Sequence, residues 1–273
     1  MPPSEEAWIY GPAMSRSVVL IHGAGASSAC WQTWQNRLER AGYECLAPAW
    51  PFHGRPPAEQ RRHPDPRLAT LTVGAILDHY AGIIAGLPAP PILIGHSFGG
   101  LLVQLLLDRG LGAAGVGIGA LPPRHALPGP RQPWFLLTAI LALRDWSRTP
   151  LLSRSFFRSR VAQTLPPAER DAACERYLVP TGRSLMVEAA LGIGTGVDFA
   201  NPRRAPLLLV SGEEDRIVKP DMTRALFRAH LASPVETALR LLPRRSHWVL
   251  TEPGWEQVAD FCVAWADTRS PRP

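Results

Sequence analysis

The sequence predicts an α/β fold: a mostly parallel sheet of six to eight strands flanked by helices, with a helical cap inserted between two strands. Three observations predict it. Short apolar, β-branched runs alternate along the chain with stretches of helical periodicity. One interval of about 80 residues, from Leu121 to Ala205, breaks that rhythm and has helical character without a clean strand. The segment Gly95-His96-Ser97-Phe98-Gly99 stands where an apolar strand-like run meets an apolar helix-like run.

The elements follow in order. VVLIH (18–22) is a β-branched run suited to a buried strand. ACWQTWQNRLERAG (29–42) has helical spacing and stops at Gly42. YECLAPAW (43–50) reads as a strand and its exit, and LTVGAILDHYAGIIAGL (71–87) as a helix. PILIG (91–95) is a strand, FGGLLVQLLLDRG (98–110) a mostly buried helix ending at Gly110, and AAGVGIGA (113–120) a strand of small residues. After the long interval come the strand APLLLVSG (205–212), a helix near 221–231, the strand ETALRLLP (236–243) and the helix GWEQVADFCVAWAD (254–267). The expected division is therefore a core from 1–121 and 205–273 and a cap from 122–204.

Composition narrows the function classes. The chain of 273 residues is 46% apolar and 19% charged, which suits a packed core and excludes a disordered chain. No run reaches the roughly 18–20 apolar residues of a membrane span. The first ten residues carry neither a basic start nor an apolar stretch, so the expectation is a cytoplasmic protein without integral membrane association. Cys30, Cys45, Cys174 and Cys262 are far apart and suggest neither a metal site nor a disulfide framework. The net charge is +6, but the arginines are scattered rather than gathered in a stripe, which argues against nucleic-acid binding.

The serine between glycines carries the chemistry. A sharp turn from strand into helix forces its central residue into a strained conformation, and side chains two positions away would collide, so glycine is needed there. The turn lifts the Ser97 hydroxyl above the sheet and aims a helix N-terminus at the reaction site. A serine hydroxyl is a weak nucleophile until a histidine, itself held by a carboxylate, takes its proton. Parallel strands bring their C-terminal ends together, so both partners are sought in loops after strands. Asp215 follows PLLLVSG, with Glu213 and Glu214 as rivals within the same turn, and His247 follows ALRLLPRRS. The oxyanion of an acyl transfer needs two N–H donors, for which Phe98 and Ala24 of the His22-Gly23-Ala24-Gly25 loop are the candidates.

HGAG at 22–25, GHSFGG at 95–100, SGEEDRIV at 211–218 and RSHWVLTEP at 245–253 together resemble the α/β-hydrolase superfamily of serine-hydrolase type. HGAGASSACWQTW is similar to the start of its methylesterase and hydroxynitrile lyase branch, while PAWPFHGR departs from the superfamily's commoner loop. The resemblance implies a carboxylic ester hydrolase, acting on an ester, thioester or lactone through an acyl-enzyme, with no cofactor and no metal. The expected partner is a small-molecule ester or acyl substrate, and a homodimer stays open. Trp134 and Phe135 open the apolar run WFLLTAILAL and are expected to wall a substrate pocket with His22, Gly23 and Trp248. A hydroxynitrile lyase or cofactor-free perhydrolase on the same triad, and a non-enzymatic receptor that retains it, are the alternatives; the only lysine, Lys219, follows the acid loop rather than the histidine.

Overall fold

A computed structural model of the chain describes residues 16–126 and 151–270. Six strands form one sheet: β1 (Ser17–Ile21), β2 (Glu44–Leu46), β3 (Ile92–His96), β4 (Ala114–Ile118), β5 (Leu207–Gly212) and β6 (Thr237–Leu242). Their order is β2-β1-β3-β4-β5-β6 and every pairing is parallel. All residues of β1, β3 and β4 are buried, as strands covered on both faces must be. The strand order reverses between β1 and β3, which opens a crevice beyond their C-terminal ends.

The helices among the described residues are α1 (Gln32–Arg40), α2 (Pro57–Arg62), α3 (Val73–Ala85), α4 (Phe98–Asp108), α5 (Arg154–Phe156, continued by a π-turn over Phe157–Val161), α6 (Pro167–Tyr177), α7 (Arg183–Leu191), α8 (Pro220–His230) and α9 (Trp255–Asp267). Thr72 caps α3 by accepting the Ala75 N–H at 3.1 Å. Helix α4 packs against β3 and β4, and the run Phe98–Leu107 is wholly buried, which explains a helix apolar on every side. No helix among the described residues is long and apolar enough to cross a membrane.

Two parts of the sequence reading change. The stretch 43–50 gives only the three-residue strand β2. Beyond it Pro48 lacks an N–H, and the Trp50 N–H leaves the sheet to bond His22 Nε2 at 3.1 Å. Residues 51–70, unassigned from sequence, hold α2 and a 3₁₀ turn over Pro66–Thr70. Between β4 and β5 the described insertion adds α5, α6 and α7 and no strand to the sheet. It touches the core through an antiparallel bridge between Ala26 and Leu178.

Candidate active site

The chain leaves β3 at His96 and enters α4 at Phe98, so Ser97 alone makes the turn. Its backbone sits at φ 55° and ψ −116°. A Cβ on Gly95 would lie 2.2 Å from Gly99 O, and one on Gly99 would lie 2.1 Å from Ile21 O, so both positions exclude any side chain. The turn is pinned to the neighbouring strand: Ser97 N–H donates to Ile118 O at 2.8 Å, and Leu121 N–H donates to Ser97 O at 3.1 Å. Ser97 Oγ has no hydrogen-bond partner among the described residues. Phe98 is the first residue of α4, so its N–H has no acceptor within the helix.

Across the end of β4 lies a closed acid–imidazole pair. His247 Nδ1 is 2.7 Å from Asp215 Oδ2, and both residues are almost fully buried. The other oxygen, Oδ1, accepts the Ile217 and Val218 N–H groups at 2.7 and 2.8 Å. A carboxylate so held keeps its orientation and makes Nδ1 the protonated ring nitrogen, which leaves Nε2 as a lone pair. The side chains of Glu213 and Glu214 are exposed, so Asp215 is the carboxylate of this loop that reaches the ring. A Cβ on Gly119 would lie 3.0 Å from His247 Nδ1, which puts the ring directly over the end of β4, where Ser97 is also tied.

The loop after β1 closes the other side. A Cβ on Gly23 would lie 3.0 Å from Ser97 Cβ, so the loop backbone passes directly beside the serine. Ala24 follows, half-buried. Burial, then the neighbouring His53, pushes the His22 imidazole down to about 3, so it is neutral. Its Nε2 accepts from Trp50 N–H, so Nδ1 carries the proton and donates to Gly23 O at 3.0 Å. The ring also stacks on Trp50 at 4.7 Å.

These contacts place the remaining candidates. His22 is fully buried and both ring nitrogens are taken by backbone, so it shapes the loop and offers no polar atom to a ligand. Gly23 brings only backbone. Trp248 is buried against Phe157 and Tyr177 and donates its indole N–H to Thr251 Oγ1 at 2.8 Å. It joins the insertion to the histidine loop. Trp134 and Phe135 lie outside the described residues. Two histidines that the sequence reading passed over hold the site's backbone. His96 donates from Nε2 to His247 O at 2.8 Å, and His53 donates from Nε2 to Pro180 O at 3.0 Å. Nothing in the local sequence marks these roles, because each bond joins distant segments.

The sequence matches the model of the alpha/beta hydrolase family over residues 18–261. No curated protein matches the chain. Among solved structures, a Paleococcus ferrophilus monoacylglycerol lipase is similar with a TM-score of 0.68 and 22% identity, covering 93% of this chain and 95% of its own. Tomato methylketone synthase I, complexed with 2-tridecanone, has a TM-score of 0.71 at 15% identity, covering 94% and 100%. A polyneuridine aldehyde esterase mutant has a TM-score of 0.66 at 16% identity, covering 92% and 99%.

Proposed function

The chain belongs to the alpha/beta hydrolase family, and from that premise we propose that it is a serine esterase that cleaves a carboxylic ester, or a related thioester or lactone, through an acyl-enzyme. The observation that carries the reading is the buried Asp215–His247 pair at 2.7 Å, standing over the same strand end that anchors the strained Ser97. Ser97 Oγ attacks the carbonyl carbon while His247 Nε2 takes its proton. The N–H groups of Phe98 and Ala24 hold the oxyanion that develops. His247 then protonates the leaving alcohol, and water clears the acyl-enzyme by the same steps in reverse order. Asp215 keeps the imidazole in the reactive tautomer and stabilises its charged form. The Ser97–His247 hydrogen bond forms as substrate enters, since such contacts are often loose in a free enzyme. The ester-cleaving names among the structural neighbours support this reading.

The test is hydrolysis of p-nitrophenyl esters of increasing chain length by the parent and by Ser97→Ala. Turnover by the parent that is lost in the variant is the expected result, and the chain-length optimum reports the depth of the acyl site. Equal activity in the two proteins overturns the assignment of Ser97. Asp215→Asn is expected to lower kcat by about 10⁴-fold, because the asparagine favours the wrong tautomer.

A further inference from the structure

His247 is gripped by more than its acid. Its own carbonyl accepts from His96 Nε2 at 2.8 Å. The residue after it, Trp248, donates its N–H to Val161 O at 2.9 Å, at the end of α5 in the insertion. The residue before it, Ser246, donates its N–H to Glu252 Oε1 at 3.0 Å, with Oε2 at 3.3 Å. Ser246 Oγ lies against Glu252 Oε1 and is 2.9 Å from Val161 O, so its one proton serves either acceptor. Thr164, also of the insertion, donates its hydroxyl to Glu252 Oε1. Glu252 is 1% exposed, and Arg245 Nη1 stands 3.9 Å from its Oε2.

A buried carboxylate is a costly way to shape a turn, since an apolar residue would need no compensating donors. Here its donors come from two places: the residue adjoining His247 and the insertion. Resting on the serine-hydrolase reading above, we propose that Glu252 and Thr164 are positioning residues, which fix the backbone that carries His247 so that its ring meets Asp215 and Ser97. On this account the insertion sets turnover, and not only access, through the link Thr164–Glu252–Ser246. Neither residue touches the reacting atoms. Glu252 acts through Ser246, and Thr164 acts through Glu252.

Thr164 gives the cleaner test, because Thr164→Val keeps the shape and removes only the hydroxyl, and Thr164→Ser restores it. In the full chain, kcat and KM for a p-nitrophenyl ester are measured beside the parent and Ser97→Ala. The downfield proton NMR resonance of the His247 Nδ1–H···Asp215 bond is recorded for each. Thr164→Val is expected to lower kcat about tenfold with KM little changed, to broaden or shift that resonance, and to be rescued by Thr164→Ser. Glu252→Gln is expected to act in the same direction, and the two changes together to be less than additive. An unchanged kcat and resonance in Thr164→Val overturns the proposal, as does a loss confined to KM or a failure of Thr164→Ser to rescue. Equal turnover by the parent and Ser97→Ala counts against the esterase reading instead, and the resonance then decides the positioning claim alone.

Discussion

Ser97 has a backbone conformation that a side-chain-bearing residue keeps only when its surroundings over-determine it, at a cost of about 1–3 kcal/mol. The surroundings here are Ile118 O, Leu121 N and the glycine contacts on either side. Ser97 makes no side-chain capping bond to α4, so its hydroxyl returns none of that cost. Ser97→Gly therefore relieves the strain. Glycine also has about 0.5–1 kcal/mol more backbone entropy to lose on folding, so the net gain is about 1 kcal/mol. The expected outcome is a higher urea midpoint together with loss of the ester hydrolysis proposed for Ser97. A lower midpoint would mean that the serine side chain contributes packing which outweighs the strain. Gly99→Ala works in the opposite direction. Its Cβ would sit 2.1 Å from a backbone oxygen of β1, which cannot move without breaking the sheet. A loss of more than about 4 kcal/mol, or failure to fold, is expected in denaturant titration.

At the scale of elements, the insertion is sewn to both loops that build the site. Besides the histidine-loop contacts, Ser27 N–H donates to Tyr177 O at 2.9 Å and Val179 N–H donates to Gly25 O at 3.1 Å, so the segment after α6 runs along the loop that carries Ala24. Arg61 of α2 donates to Leu178 O at 2.8 Å and holds that segment from outside. Arg61→Met keeps the aliphatic stem and removes the donor. Hydrogen exchange at the Ser27 and Val179 amides is expected to quicken by about five- to tenfold while the amides of β3 and β4 stay protected, reflecting the loss of the bond to Leu178 O; the Arg61–Glu175 pair at 3.3 Å, lost with it, is half-exposed and adds little. Uniform quickening would mean that α2 supports the whole molecule rather than this seam. The seam also marks where the sequence stops being legible. Strands β1, β3, β4 and β5 were readable because buried parallel strands must be continuous apolar runs, and the half-buried edge strand β6 because its apolar residues sit beside a β-branched start and a closing proline. Ser97, Asp215 and His247 were readable as candidates because parallel topology collects strand ends. Helix α2, PAEQRR, is a turn and a half without an apolar stripe and left no periodic trace. The rivalry of Glu213, Glu214 and Asp215 needed the actual path of the loop to resolve it. His96 to His247, His53 to Pro180 and Thr164 to Glu252 close over 151, 127 and 88 residues, and no local pattern encodes a bond at that separation.

The molecule as a whole carries four imidazoles that burial keeps neutral in the fold well below the ordinary histidine range. Burial, the largest cause, pushes His22, His96 and His230 down to about 3 and His53 down to about 4; His53 beside His22, His247 beside His96 and the Arg204 guanidinium beside His230 disfavour a second positive charge there. In the unfolded chain each returns to about 6.5. Between these values the unfolded state binds more protons than the folded one, so stability rises with pH in that window and falls as the solution is acidified through it. The contribution is complete above about pH 6.5 and erodes below it. Each ring adds a slope of at most about 1.4 kcal/mol per pH unit, until His53 near pH 4 and the others near pH 3 take up protons in the fold. Four such slopes can exhaust the 5–15 kcal/mol typical of a domain within a few pH units. The urea midpoint is therefore expected to be flat from pH 8 to 7 and to drop steeply between pH 6 and 4.5. His230 offers a check at a distance from Ser97, because its Nε2 donates to Gln104 Oε1 at 3.0 Å and a glutamine amide can do the same without titrating. His230→Gln is expected to flatten the acid limb by about a quarter, the share of one ring in four with equal slopes. A midpoint that stays level down to pH 5 in the parent would mean that these rings accept protons inside the fold, and that the backbone contacts of His22, His53 and His96 are looser than their hydrogen bonds imply.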